Sequence, residues 1–480
     1  MEKEYTLVIG LEIHAQLQTK SKMFCGDAVL FGQEPNTLTS AISLGHPGTL
    51  PVANKKAVEY AIKMGLACHC EINKLNFFDR KNYFYPDLPK GYQITQDKAP
   101  ICKGGYVTIK SKDGTEKSIT LNRIHMEEDA GKLIHQESGL ESQVDLNRAG
   151  TPLIEIVSEP DLRSSDDAAL FLMEVRKLVR YLEICDGNME EGSFRCDANV
   201  SVMAKDSTQY GKKVEIKNMN SFRFVQKAID FEKTRQIALL EAGLEIDSET
   251  RMFNADTGET YAMRSKETLN DYRYFPEPDM QPIFVDDKWL AQIKESMPVL
   301  PEMLFKKFTQ EYALSEYDAA FLTEDKATAR YFEALCTLQI PAKTASNWMM
   351  GAIRSFLNES GIGLEQFSIS PSKLSALIHL VVANKLSHSA AAQQVFPEMI
   401  RNPERDAFDI ATDLNLFQNS DTDFLQASIA KVLAAMPEKV KEYKSGKKGL
   451  LGLFMGELKK ETQGKADPKL ASQLLEKSLS

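Results

Sequence analysis

RIHMEEDAGKLIHQESGLESQVDLNRAGTPLIEIVSEPD, Arg123 to Asp161, holds the two features from which the rest of the chain is read. It opens with His125 and three consecutive acids, Glu127, Glu128 and Asp129. It closes on Thr151 to Ser158, whose alternation predicts a strand with Leu153, Glu155 and Val157 on one face. A carboxylate among apolar neighbours is costly unless it has a charged partner or a metal ion. Taken alone, the acidic run is also what a solvated charged turn looks like. Glu155 has no such solvated face on its strand and is the stronger functional candidate.

Working outward, Val8 to Ala15 (VIGLEIHA) alternates cleanly, with Gly10, Glu12 and His14 on one face and Ile9, Leu11 and Ile13 on the other. A Glu and a His two apart on a strand project side by side, which suits a metal or a phosphate-bearing ligand; an ordinary polar surface strand has the same pattern. Glu190 to Val202 returns to period two, with Arg195, Asp197, Asn199 and Ser201 facing one way. Val214 to Asn218 repeats it, with Glu215 and Lys217 on the polar side. Four strands thus pair one apolar face with one charged face, the pattern of an antiparallel sheet covered on one side only. Gly104 to Leu121 reads as a hairpin turning at Asp113-Gly114.

Helices punctuate these strands. One runs from Asn54 to about Cys68, and one is capped at Ser164-Ser165 with a core stripe of Ala168, Phe171, Leu172, Val175, Leu178, Val179 and Leu182. A third spans Phe222 to Ala242 and stops at Gly243. Phe78 to Gln96, aromatic and proline-bearing, has little regular periodicity, and its composition slightly favours plugging a core edge over lining a pocket; Asp271 to Met280, also aromatic and proline-rich, reads as a loop or edge. Beyond Pro298 the pattern becomes helical, broken at Gly361, Gly363 and Pro371. The predicted class is α+β: an antiparallel-sheet domain over 1–294, a helical domain over 295–405 and a small all-α tail over 406–480.

At 480 residues the chain exceeds one ordinary core, in keeping with two or three domains. A net charge of −10 gives no global signal for nucleic acid. From Pro437 onward, however, ten Lys stand against five Glu and one Asp, a local +4. Lys447, Lys448, Lys459, Lys460 and Lys465 lie in or near Gly-bearing turns, where lysines can touch phosphates without reading bases; a solubilising tail would look the same. No apolar run is long enough to span a bilayer, and the N-terminus enters a strand pattern directly, without signal-peptide features. Seven sparse cysteines read as reduced thiols in a cytoplasmic enzyme. Cys68-His69-Cys70 lacks the second ligand pair of a zinc site.

In order along the chain, VIGLEIHAQL, LGHPGTLPVAN, FDRKNYFYPDLPKGYQITQ, HMEEDAGK, VDLNRAGTPLIEIVSEPD, EEGSFRCDANVSV, DYRYFPEPDM and the tail's GKADPKL resemble one family, the B subunit of the aspartyl/glutamyl-tRNA amidotransferase. These blocks are long and uncommon, and they cover essentially the whole length. The resemblance implies a heterotrimer with the amidase, or A, subunit and a small C subunit. In it, this chain would phosphorylate the side-chain carboxylate of Glu-tRNA(Gln), Asp-tRNA(Asn) or both, using ATP and Mg²⁺. Ammonia freed from glutamine by the amidase would then displace the phosphate. It also implies a cradle domain, a helical domain and a tail that contacts tRNA. Glu12, His14, Glu127, Glu128 and Glu155 match the family's metal-binding set, and hard oxygen ligands suit Mg²⁺. Arg195, Asp197 and Lys217 are the candidates around the ATP phosphates.

The sequence has neither an amidase signature loop nor a convincing Cys-His glutaminase arrangement, so a partner must supply the ammonia; it also has no Walker-type GxxxxGK[ST], so ATP would bind in another way. One departure stands out. Where many family members carry a zinc knuckle, this chain keeps Cys25 but has Asp27, Ser40 and Ser43 at the other three positions, so no structural zinc is expected. The competing readings are a non-catalytic scaffold that delivers aminoacyl-tRNA to another enzyme and a free-standing metal-dependent hydrolase. Clustered carboxylates disfavour the scaffold, because a bare tRNA-binding surface avoids them.

Overall fold

The computed structural model describes residues 4–111, 113–135, 141–264, 272–418, 422–462 and 465–479. Lys112 in the expected hairpin turn, residues 136–140 of the central stretch, Asp271 and Gly464 lie outside the described residues. The chain divides into two compact units, Met1–Pro301 and Glu302–Ser480.

The first unit is built on one large sheet. Its main strands are β1 (Tyr5–Gln16), β2 (Asp79–Asn82), β3 (Tyr92–Thr95), β4 (Tyr106–Lys110), β5 (Glu116–Glu128), β6 (Pro152–Ser158), β7 (Phe194–Ala204), β8 (Val214–Lys217), β9 (Thr250–Asn254), β10 (Glu259–Arg264) and β11 (Phe275–Pro276). They lie in the order β10-β9-β8-β7-β1-β6-β5-β3-β2-β11, and β4 pairs with β5 as the expected hairpin. Neighbouring pairs are antiparallel except β8 with β9, which run parallel. The long helix between those two strands carries the chain back over the sheet, the crossover that a parallel pair requires.

Three helices cover one face: α1 (Lys55–Ala67), α2 (Ser165–Tyr181) and α3 (Phe222–Glu241). The alternation along β1 explains why. Ile9, Leu11 and Ile13 are fully buried beneath the helices, each contributing roughly 1.5–3 kcal/mol by leaving water. The α2 stripe from Ala168 to Leu182 is buried in the same core. Helix starts are where cap chemistry puts them: Asn54 Oδ1, Ser164 Oγ and Ser221 Oγ each accept a first-turn N–H. Gly243 follows α3 with φ +72, the left-handed turn that closes a helix.

The named elements of the second unit are all helices, and one isolated bridge joins Leu386 to Phe417. Gly361 closes the helix Arg354–Ser360 in the left-handed conformation, and Pro371 opens the helix Pro371–Val382, as the breaks in the sequence pattern predict. Thr422–Ala435, Leu451–Glu461 and Pro468–Leu479 share a small core of their own around Leu425, Ile429, Phe454, Leu458 and Leu475. No described helix is long and apolar enough to cross a membrane.

Candidate active site

The helix-free face of the sheet gathers the polar halves of its strands. His14 on β1 stands opposite Glu155 on β6 and Arg195 on β7, and Glu155 stands opposite His125 on β5. Arg195, His14, Glu155 and His125 therefore form one row across four strands. One row over, Glu12 faces Asp197; on the other side Glu127 faces Leu153 and, across β3, Thr95. The convergence comes from register: side chains opposite one another on the same face lie about 4.5–5.5 Å apart at Cβ.

Within this row His14 Nε2 lies 3.4 Å from Glu155 Oε2 and 3.7 Å from Glu127 Oε1. His125 Nε2 lies 3.3 Å from the same Glu155 oxygen and 3.8 Å from Glu127 Oε2. One donor atom each from His14, Glu127 and Glu155 fits within a 4.8 Å group, close enough to share one cation. Glu12 lies one row away, where Asn199 Nδ2 donates to its Oε1 at 2.8 Å. Glu127 and Glu155, both read from the sequence, thus meet His14, while Glu12 flanks the trio.

The electrostatics follow from crowding these charges in a buried place. Burial works to raise the Glu155 carboxyl, but His125 and His14 overcome it and hold the group well below its ordinary value. Glu127 is likewise lowered: burial raises it, but the hydrogen bond from His125 together with the charges of His14 and His125 prevails. Burial opposes charge on the imidazoles, yet the facing carboxylates raise both, His125 to about 9. Glu12 moves the other way, pushed up by burial and by Glu155. These shifts favour the charged forms of Glu127 and Glu155 and of the two imidazoles, which balance one another. A divalent cation bound to two carboxylate oxygens and one imidazole nitrogen would take over that balance, and this donor set fits Mg²⁺ or Mn²⁺.

Cationic side chains ring the cluster. Arg195 forks onto Asp129, with Nη1 to Oδ2 at 2.9 Å and Nη2 to Oδ1 at 3.1 Å, and Gln16 donates to the same carboxylate at 2.7 Å. Lys217 donates to Asp197 at 2.5 Å and lies 3.1 Å from Glu215. Lys81 is a further cation that periodicity did not single out. Its Nζ sits 4.9 Å from the centre of the Tyr272 ring and 5.6 Å from that of Tyr83, and Glu127 helps raise its pKa against the effect of burial. Between them the two aromatic segments thus plug a core edge and line the site: Phe78 and Ile94 pack into the core, while Tyr83 and Tyr272 flank Lys81 beside the site. Arg80 ties them together, forking onto Glu277 at 2.7 and 2.9 Å.

Glu128 goes elsewhere. Successive residues of a strand point to opposite faces, so Glu128 is turned away from Glu127. It pairs with Lys90 and accepts the Ile94 N–H at 2.9 Å. There it borders a cavity of about 220 Å³ that Phe24, Cys25, His46 and Pro47 also line. Read as one patch in the sequence, the Glu127-Glu128 pair is divided by the strand between two sides.

The positions corresponding to a zinc knuckle meet in a hydrogen-bonded clasp. Asp27 Oδ2 accepts from Ser43 Oγ at 2.6 Å and from Ser40 N at 2.9 Å, and Ser40 N also donates to Ser43 Oγ at 2.9 Å. Burial pushes the adjacent Cys25 thiol up to about 11, which keeps it protonated at neutral pH. In the second unit, Lys447 pairs with Glu442 at 3.1 Å, Lys460 pairs with Glu457 at 2.6 Å, and Lys448 lies 4.3 Å from the centre of the Tyr443 ring. Lys459 and Lys465 form no ion pair among the described residues.

Comparison with known proteins bears on the whole chain. Residues 7–291 match the family model of the GatB/GatE catalytic domain, and residues 330–479 match that of the GatB domain. Relatives named as B subunits of aspartyl/glutamyl-tRNA(Asn/Gln) amidotransferase include that of Syntrophotalea carbinolica, 48% identical over 479 residues, 100% of this chain and 99% of the relative. That of Thermodesulfovibrio yellowstonii is 48% identical over 476 residues, 99% of each chain, and that of Trichlorobacter lovleyi 49% over 472 residues, 98% of each. With two family models covering most of its length and relatives near half identity from end to end, the chain belongs to the GatB family, the B subunits of aspartyl/glutamyl-tRNA(Asn/Gln) amidotransferases.

Proposed function

We propose that this chain activates the side-chain carboxylate of Glu-tRNA(Gln), Asp-tRNA(Asn) or both by ATP-dependent phosphorylation, as the B subunit of a heterotrimer with the amidase, or A, subunit and a small C subunit. The amidase releases ammonia from glutamine, and ammonia displaces the phosphate to give the amide. The observation that carries this reading is the His14–Glu127–Glu155 donor set on the helix-free face of the sheet, in a chain of this family.

A carboxylate is a poor electrophile, and phosphorylation turns its oxygen into a leaving group. Transfer of a phosphoryl group needs positioning and charge neutralisation more than covalent chemistry. His14, Glu127 and Glu155 would hold Mg²⁺, with Glu12 beside them. Bound there, the cation would supply charge neutralisation for the phosphoryl group in transit. Arg195, fixed by Asp129, presents a rigid guanidinium at the end of the same row. Lys217 and Asp197 form the next charged pair along β7, and Lys81 brings a cation from the aromatic side. Glu128 and Lys90, on the other side of β5, are outside this set in our reading.

For the chain's organisation we propose a cradle domain over 1–294, a helical domain over 295–405 and a tail over 406–480 whose lysines contact tRNA phosphates. The separate apolar core among Leu425–Leu479 supports a tail that holds together by itself. Lys459 and Lys465 are the best phosphate partners, since Lys447 and Lys460 already face glutamates.

The test follows ATP hydrolysis by the reconstituted complex given Glu-tRNA(Gln) without glutamine, with wild type and Glu155→Ala side by side. Stimulation by charged tRNA that the substitution abolishes while tRNA binding persists supports the kinase role. Equal turnover by both proteins, or by neither, refutes it and favours the scaffold.

A further inference from the structure

We infer that His125 is a positioning residue, acting with Thr95 to fix which carboxylate oxygen of Glu127 receives the cation. The inference rests on the reading of His14, Glu127 and Glu155 as a cation site.

Two histidines flank Glu155 along the row, and they differ in one respect. The His14 side chain is 18% exposed and stands toward the open side; that of His125 is 4% exposed and enclosed behind the carboxylates. Among the described residues, the polar contacts of the His125 ring run through Nε2, to Glu155 at 3.3 Å and to Glu127 at 3.8 Å, and its buried Nδ1 has no hydrogen-bond partner. A core histidine that merely fills space satisfies both nitrogens. This one directs its polar contacts, among the described residues, at the two carboxylates.

The two oxygens of Glu127 show what that achieves. Thr95 Oγ donates to Oε2 at 3.2 Å, and His125 Nε2 lies on the same side. Oε1 is left to face His14 at 3.7 Å. A carboxylate whose rear oxygen is held presents its other oxygen in one orientation, so the site loses less freedom when a cation binds. Residues that orient metal ligands in this way matter nearly as much as the ligands.

The experiment uses the full chain in its complex and reads bound Mn²⁺ by electron paramagnetic resonance, with Mg²⁺-dependent turnover as a second readout. Histidine and glutamine both place a donor N–H at similar reach. His125→Gln should therefore keep Mn²⁺ affinity near the wild-type value, whereas His125→Ala should weaken it about ten- to a hundred-fold. Thr95→Val, isosteric but without the hydroxyl, should weaken it in the same direction. In both weakened variants the apparent KM for Mg²⁺ should rise while kcat at saturating Mg²⁺ persists. Wild-type Mn²⁺ affinity in His125→Ala or in Thr95→Val overturns the inference. So does His125→Gln binding as poorly as His125→Ala, which would make the ring itself a ligand. Glu155→Gln is the control: if it and the wild type alike give no bound Mn²⁺, the cation reading falls and this inference with it. If Glu155→Gln loses the Mn²⁺ that the wild type binds, the cation site stands and the His125 variants alone decide the inference.

Discussion

Replacing Arg195 by Ala tests whether the row of charges is held by the pair at its end. The Arg195 side chain is 32% exposed and that of Asp129 is 7% exposed, so the pair lies between surface and interior. Surface pairs contribute about 0–1 kcal/mol, and stripping one partner from a buried pair costs about 3–5 kcal/mol. Asp129 would keep Gln16 at 2.7 Å and the Ala130 N–H at 3.0 Å, with Arg148 at 3.9 Å, so its charge would not be abandoned. Two short bonds lost from a partly screened guanidinium set the cost at about 2 kcal/mol. Asp129→Asn should cost a similar amount, and the double variant should cost scarcely more than either, giving a coupling of about 2 kcal/mol.

A chain of two units need not unfold in one transition, so the assay should be local. Hydrogen exchange of peptides covering Ile124–Ala130 and Phe194–Ala198 reads the opening free energy of β5 and β7 directly. The pH dependence supplies an independent sign. Burial raises the Asp129 carboxyl, but Arg195 and Arg148 prevail and hold it below 3.8. A depressed folded-state pKa means that the contribution is complete above the unfolded value and is lost as pH falls through the folded one. Arg195→Ala should flatten that acid limb. Costs that add to within about 0.5 kcal/mol would show that the two residues do not act as a pair and would refute the reasoning.

Other outcomes follow from the same geometry. Glu127→Gln should abolish Mn²⁺ binding, whereas Glu128→Gln, on the far side of β5, should leave it unchanged; equal loss in both, measured by electron paramagnetic resonance, would contradict the division of the pair. Asp27→Ala removes the acceptor of two hydrogen bonds in the clasp and should speed proteolysis of residues 27–43, at a cost of about 1–3 kcal/mol; a zinc assay that finds stoichiometric metal in the wild type would overturn the clasp's role. Lys81→Ala should raise the KM for ATP, because it removes a cation sheathed by Tyr83 and Tyr272, and an unchanged KM would exclude it from the phosphate site. In a filter-binding titration against salt, Lys459→Ala and Lys465→Ala should each lower the salt slope of tRNA binding by about one, more than Lys460→Ala does, since Glu457 already engages Lys460.

How much was legible depends on whether the signal was local. The strand alternation along Val8–Ala15 and Thr151–Ser158, the cap at Ser164, the start of the helix at Phe222 and the stop at Gly243 rest on neighbours in sequence, and the structure places them there to within a few residues. The row joining Arg195, His14, Glu155 and His125 depends on strand register between segments far apart, and no local pattern carries that. His125 had a usable signal. Period two puts His125, Glu127 and Asp129 on one face and Glu128 on the other, so treating the acids as a single cluster merged two sides of a strand. Lys81 had none: it lies in an aromatic segment whose partner, Tyr272, is nearly two hundred positions away. The parallel β8–β9 pair was hidden for the same reason, since only the path of α3 decides it.

The two sides of β5 are nevertheless not independent, because one short strand serves both. On β3, Thr95 donates to Glu127 at 3.2 Å while the N–H of Ile94 donates to Glu128 at 2.9 Å. Gln93 Nε2 holds the Glu128 carbonyl at 2.7 Å and so pins the end of β5 itself. A shift of β3 by a fraction of an ångström would alter the cation-facing carboxylate and the Lys90–Glu128 pair together, whereas a change of side chain on one face would alter only one of them. Side-chain substitutions at Glu127 or Glu128 should therefore separate the two sites cleanly, and a backbone perturbation at Ile94 should not. An Ile94→Pro variant, which deletes the N–H that Glu128 accepts and disturbs the strand carrying Thr95, is the change that should damage both at once.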